Sequence, residues 1–307
     1  MNTPLRGLVA APFTPLKATG AIAESVIPMQ ARSLARNHVV GAFVCGSTGE
    51  GASLSGTERR RMAESWVTAA RPLGLSVIVH VGHASLPEAA ALAAHAQAAG
   101  ADAIATLAPH YFKPRHTEDL VAWCAQVAAA APQLPFYYYH IPAITGVTIP
   151  TADFLKLARE TIPTLAGIKF TYEDMRDFHK TVIEAGERYH ALFGRDELLL
   201  DSLKLGARAA VGSTYNYAAP LFQRILAAHA AGDLAAAERE QARARTFIDI
   251  LEKFGGLPAG KAIMRFVGID VGPPRLPLRA LSPERERRLH RKLTDIGFFN
   301  YASATSD

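Results

Sequence analysis

The sequence predicts a (β/α)8 TIM barrel with a C-terminal helical extension, and three observations predict it. Eight short apolar runs rich in β-branched residues are each followed by a longer stretch with helical spacing. The runs are continuously apolar, which suits parallel strands covered by helices. The 307-residue length is one that a single such barrel fills. Eight repeats imply closure, while an open doubly wound sheet is the alternative, because periodicity alone does not show closure.

The expected strands are 7–11, 40–45, 76–81, 103–107, 136–140, 167–170, 191–193 and 209–212. Helices are expected near 22–37, 56–71, 86–99, 117–130, 151–161, 175–186, 196–205 and 218–231. Turn chemistry supports these ends. Ser55 stands before Gly56-Thr57-Glu58, the spacing of a capping box, and Ser85 stands before Leu86-Pro87-Glu88. Gly100 follows an Ala-rich stretch as a helix C-cap. After about residue 232 the strand signal stops, and 234–254, 259–267 and 283–296 read as helices broken by Gly272-Pro273-Pro274. The expected organisation is a barrel over 1–232 and a helical extension of the same domain over 233–307. No low-complexity linker separates them.

Almost half of the residues are apolar and a fifth are charged, as in an ordinary globular protein with a large core. The net charge of +5 is modest, and part of the excess lies in the run from Pro283 to Lys292. Glu and Arg alternate there at helical spacing, so the run reads as a solvated helix face, not a nucleic-acid patch. Cys45 and Cys124 both sit in apolar runs and read as buried free thiols of a reducing compartment. The N-terminus shows no basic leader before an apolar run, and no segment reaches the roughly 20 apolar residues of a membrane span. A cytoplasmic protein is expected. His80 and His83 are three apart, but i and i+3 face opposite sides of a strand and no carboxylate cluster accompanies them, so no metal site is expected.

Barrel active sites lie at the C-terminal ends of the strands, and four segments there carry unusual polar groups. Lys169 stands near the end of the sixth run. A lysine turned into a barrel core has a lowered pKa and becomes a nucleophile able to form an imine, whereas one that reaches water is an ordinary cation. Gly46-Ser47-Thr48-Gly49-Glu50 follows the second strand. Its hydroxyls and N–H groups suit an anion, although it lacks the lysine of a phosphate loop and an ordinary turn is the alternative. Tyr137-Tyr138-Tyr139-His140 alternates across the fifth strand, sending Tyr137 and Tyr139 to one face as core aromatics or as a proton relay. Gly194-Arg195-Asp196-Glu197 and Gly212-Ser213-Thr214 follow the seventh and eighth strands. Their carboxylates suit a polyol or the cap of the next helix.

Together, Gly46-Ser47-Thr48-Gly49-Glu50, Tyr139-His140-Ile141-Pro142 with Thr145-Gly146, Gly167-Ile168-Lys169 and Gly212-Ser213-Thr214 resemble the dihydrodipicolinate synthase/N-acetylneuraminate lyase family of pyruvate-dependent class I aldolases. The resemblance spans the barrel from Gly7 through Asn216 and is nearer to the lyase branch. Synthases usually carry an Arg where this chain has Ile144, and the Asp196–Glu197 pair suits a polyhydroxylated partner.

The resemblance implies reversible cleavage of N-acetylneuraminate to N-acetylmannosamine and pyruvate without a cofactor. Lys169 would form the imine and Tyr139 would relay the proton. Ser47 and Thr48 would hold the carboxylate, while Thr171, Gly194, Asp196, Glu197 and Ser213 would orient the sugar tail. Tyr111 matches a family position near a subunit interface, and a homotetramer is implied, with a small-molecule substrate and neither nucleic acid nor membrane as partner. Arg195 departs from the family, which often has a neutral residue there, and so does Phe170-Thr171-Tyr172-Glu173 after Lys169. Both leave open an aldolase or dehydratase for another 2-oxo sugar acid, and a non-catalytic sugar-acid binder is the reading from another class.

Overall fold

The computed structural model describes residues 5–303. Eight parallel strands close into a barrel in chain order, with the first bonded to the last. They are β1 (Gly7–Ala10), β2 (Gly41–Val44), β3 (Ser76–His80), β4 (Ala103–Leu107), β5 (Phe136–His140), β6 (Leu165–Phe170), β7 (His190–Phe193) and β8 (Ala209–Gly212). Around them lie α1 (Ile27–Arg36), α2 (Gly56–Ala70), α3 (Leu86–Ala98), α4 (Thr117–Ala129), the short α5 (Pro142–Thr145), α6 (Thr151–Thr161), α7 (Met175–Ala185), α8 (Leu199–Lys204) and α9 (Tyr215–Ala230). Three further helices follow: α10 (Leu234–Lys253), α11 (Leu257–Phe266) and α12 (Pro283–Asp295).

Alternation sorts the strand side chains into two cores. Val9, Phe43, Ile78, Ala105, Tyr137, Tyr139, Leu192 and Val211 meet inside the barrel. Their neighbours Leu8, Val44, Val79, Ile104, Tyr138, Ile168 and Phe193 point outward into the layer between strands and helices. One-residue register slips would exchange the two sets, so the apolar pattern fixes the pairing.

The strands and helices expected from sequence are present, and the differences have physical causes. The first helix begins at Ile27, not near residue 22, because Pro28 fits the first turn, where its missing N–H costs nothing. The helix expected at 218 starts at Tyr215 and bends at Ala218 (φ −135°), since Pro220 inside it gives no N–H to the preceding turn. The stretch at 196–205 divides into a tight turn at Asp196–Leu198 followed by α8. Strand β6 begins at Leu165, with a register shift opposite Phe136 and Tyr137. The capping box at Ser55 and Glu58 forms as expected.

The C-terminal helices fold back on the barrel. Phe247 of α10 meets Phe222 and Tyr217 of α9 edge-on, at 6.2 and 6.5 Å between ring centres. In α12 only Leu289 and Leu293 are buried, so its basic run faces water. Cys45 and Cys124 are buried and free. No described helix is long and apolar enough to cross a membrane.

Candidate active site

Strand β6 turns Ile168 and Phe170 outward and Lys169 into the barrel, where it is only 3% exposed. Its Nζ lies 3.8 Å from the ring centres of both Phe43 and Tyr139. Burial drops the Lys169 pKa from 10.5 to about 7, with the Asp196 carboxylate pulling the other way. At neutral pH roughly half of such amines are uncharged, against about three in ten thousand for a free lysine. That difference separates a nucleophile from an ordinary cation.

Tyr139 stands across from Lys169 on the neighbouring strand. Its hydroxyl is 3.4 Å from Ser47 Oγ. Burial raises its pKa, and the hydroxyls of Ser47 and Thr171 oppose that rise. His80 lies behind these rings on β3, 5.7 Å from Tyr139 and 6.1 Å from Phe43 between centres. Its Nδ1 is 3.1 Å from the Cys45 carbonyl. Burial, then Arg59, then Lys169 hold His80 well below its usual pKa, so it stays neutral. That carbonyl therefore takes its hydrogen bond from an Nδ1–H tautomer.

The loop after β2 carries Ser47 and Thr48. It turns through left-handed conformations at Cys45 (φ 59°) and Glu50 (φ 53°). Gly51 is required beside it, because a Cβ there would sit 1.9 Å from the Cys45 carbonyl oxygen. On the other side of the mouth, Asp196 accepts from Thr214 Oγ1 at 2.6 Å and from the Thr214 N–H at 3.2 Å. Burial still raises Asp196 to about 6. A Cβ on Gly212 would meet Asp196 Oδ1 at 1.9 Å, and one on Gly194 would meet Thr171 Oγ1 at 2.0 Å. Both glycines thus make room for a polar side chain of the site.

These residues share one cavity of about 350 Å³. Ser47, Thr48, Tyr139, Lys169, Thr171, Gly194, Asp196, Glu197 and Ser213 all line it. Arg195 lines it as well, ion-paired to Glu197 at 2.7 Å. Tyr111 does not. It is 78% exposed on this single chain and packs edge-on against Phe112, 5.0 Å away. Among the described residues, no group of three His, Cys, Asp or Glu is placed to hold a metal ion.

Sequence reading missed one wall of the cavity. Ile248, Leu251 and Glu252 reach it from α10. The same helix secures the carboxylate segment: Gln241 donates to the Asp196 carbonyl at 3.2 Å, and Arg245 donates to the Glu197 carbonyl at 2.9 Å. The only signal available was the amphipathic spacing of α10, which shows a buried face but not what that face covers.

The barrel with a buried lysine at the mouth end of β6 defines the class, and the comparisons define the family. The profile of the dihydrodipicolinate synthetase family matches residues 4–296. The chain belongs to that family. It is 44% identical over 303 residues to the N-acetylneuraminate lyase of Mus musculus, covering 97% of this chain and 95% of the relative. The N-acetylneuraminate lyase of Proteus mirabilis superposes with a TM-score of 0.93 at 40% identity, covering 96% of this chain and 100% of that one. A Ruminococcus gnavus sialic acid aldolase, solved as a catalytic lysine mutant, superposes at 0.88 with 26% identity, covering 96% and 97%.

Proposed function

We propose that this chain is a Schiff-base carbon–carbon lyase that cleaves N-acetylneuraminate reversibly to N-acetylmannosamine and pyruvate. The observation that carries the reading is Lys169, a buried amine with a pKa near neutrality, at the floor of a cavity rimmed by hydroxyls and carboxylates. The near full-length likeness to N-acetylneuraminate lyases supports the choice of substrate.

In this mechanism the neutral Lys169 Nζ attacks the C2 ketone of the open-chain sugar acid, and water leaves to give an imine. The protonated imine draws the electrons of the C3–C4 bond as the C4 hydroxyl loses its proton. That step releases an aldehyde and leaves an enamine on Lys169. Tyr139, with the substrate carboxylate, relays the proton from the C4 hydroxyl. Protonation at C3 and addition of water then free pyruvate and the amine. The chemistry requires no metal or separate cofactor, because the protonated imine is itself the electron sink.

Ser47 and Thr48 hold the substrate carboxylate by hydroxyl and backbone donors. Thr171, Gly194, Asp196, Glu197 and Ser213 orient the polyol, which fixes the C4 hydroxyl near the relay. Tyr111 belongs to a contact between copies in a homotetramer, and the enzyme works in the cytoplasm. The C-terminal helices act as an extension of the same domain.

The direct test is pyruvate release from N-acetylneuraminate, read with lactate dehydrogenase. Release that disappears in Lys169→Ala supports the reading. No release, with a pyruvate imine still trapped on Lys169 by borohydride, would move the substrate to another 2-oxo sugar acid. Lys169 and Tyr139 together in the cavity speak against a silent binder, and the charged Arg195–Glu197 pair is the feature that bears on which sugar acid is cleaved. A panel of sugar acids separates the two substrates.

A further inference from the structure

Glu50 ends the loop that carries Ser47 and Thr48, yet it turns away from the cavity. Its carboxylate is buried, with 2% of the side chain exposed, and it pairs with an equally buried Lys261 of α11 at 2.7 Å. Lys261 Nζ also donates to the carbonyls of Thr14 and Pro273, each at 3.0 Å. The second carboxylate oxygen of Glu50 accepts the Arg275 N–H at 2.7 Å. Thr14 Oγ1 donates to the Gly49 carbonyl at 2.5 Å, and the Leu16 N–H donates to Val271 at 3.0 Å. One ammonium group thus ties three chain segments together directly behind the loop.

Such a pair contributes little net stability. Desolvating two charges offsets most of their attraction, and an apolar pair of similar volume is often as stable. What it does supply is geometry, because each charge tolerates only the arrangement that satisfies the other. Glu50 has left-handed φ without being glycine, a conformation that its surroundings must hold in place. The ion pair holds it there, and Glu50 N–H bonds back to the Ser47 carbonyl at 3.0 Å.

We infer that Lys261 is a positioning residue: through Glu50 it sets the place of Ser47 and Thr48, and so the affinity of the site for a 2-oxo acid carboxylate. Lys261 lies outside the residues lining the cavity. The inference rests on the reading that Ser47 and Thr48 bind the carboxylate. Ser47 and Thr48 hold that carboxylate before and during the reaction, so loosening them raises KM and the half-saturating pyruvate concentration, and the shift of Ser47 away from Tyr139 lowers kcat as well.

The test compares wild type, Lys261→Met and the double variant Glu50→Gln/Lys261→Met. Each is assayed for N-acetylneuraminate cleavage and for borohydride trapping across a pyruvate titration, with melting followed by circular dichroism. The double variant leaves no unpaired buried charge, so it is the variant to read if the single one unfolds. The expected result in the folded variants is an increase of about tenfold in half-saturating pyruvate, with a smaller fall in kcat for cleavage. Unchanged half-saturation in a folded variant would overturn the proposal. So would equal losses in kcat and in folded fraction, which mark a purely structural role. If wild type traps pyruvate but Ser47→Ala/Thr48→Val leaves half-saturation unchanged, the carboxylate assignment itself has failed, and this inference falls with it.

Discussion

Tyr139 and Lys169 are direct partners across β5 and β6, and the Lys169 amine rests 3.8 Å from the centre of the Tyr139 ring. The pairing places the proposed nucleophile and proton relay on adjacent rigid strands, where relative placement depends on backbone hydrogen bonds and not on a loop. It also makes the aromatic walls part of the electrostatics. The rings of Phe43 and Tyr139 stand against the amine on two sides, and the burial they help to create lowers its pKa while the Asp196 carboxylate raises it.

Imine formation should therefore follow the titration of Lys169. Its rate should rise between pH 6 and pH 8 with an apparent midpoint at about 7 and then level off. Stopped-flow trapping of pyruvate measures it. A rate still climbing steadily at pH 10 would mean an amine of ordinary basicity.

The same shift carries a stability consequence. Lys169 titrates at about 7 in the folded chain and near 10.5 when unfolded, so the unfolded chain binds more protons between those values. The contribution of this group to stability must rise with pH across that window. Lys169→Met removes the buried charge and should raise the melting temperature at pH 6 by a few degrees while abolishing turnover. A lower melting temperature than wild type at pH 6 would contradict it.

Tyr139→Phe keeps the ring against Lys169 and removes only the hydroxyl near Ser47. The expected loss in kcat is about 10²–10⁴-fold, the range for a positioned proton relay. Borohydride trapping of pyruvate should remain efficient. Equal losses in trapping and turnover would assign Tyr139 to packing.

Gly212→Ala places a methyl group against the Asp196 carboxylate. Displacing Asp196 breaks its two bonds from Thr214 and should cost about 1–3 kcal/mol of stability, the usual penalty of overpacking. Cleavage of the sugar acid should fall about tenfold or more in kcat/KM, while half-saturation by pyruvate, which lacks the polyol, should stay near wild type. Parallel loss of pyruvate affinity would show that Asp196 serves the whole cavity.

The barrel was legible because its signals are local. Continuous apolar runs mark β1 to β8, and Ser55 with Glu58 marks the start of α2 within four residues of chain. Lys169 and Tyr139 could be singled out because strand alternation orients side chains from sequence alone. Glu252 and Lys261 could not. One lines the cavity and the other braces a loop more than 200 residues earlier in the chain, and both look like ordinary charges on amphipathic helices. Which end of a barrel such a helix covers is decided by long-range packing, here by Phe247 against Tyr217 and Phe222. Helix ends shifted where a proline acted through the backbone, as at Pro28 and Pro220.

The wall that α10 gives to the cavity divides labour along the gene. Lys169 and Tyr139 come from the strands, whereas Ile248, Leu251 and Glu252 come from a segment with no part in closing the barrel. Substitutions on one face of that helix can reshape what fits beyond the reacting carbon without disturbing the amine. Selectivity is thereby open to change at positions where the reaction itself is insulated from error.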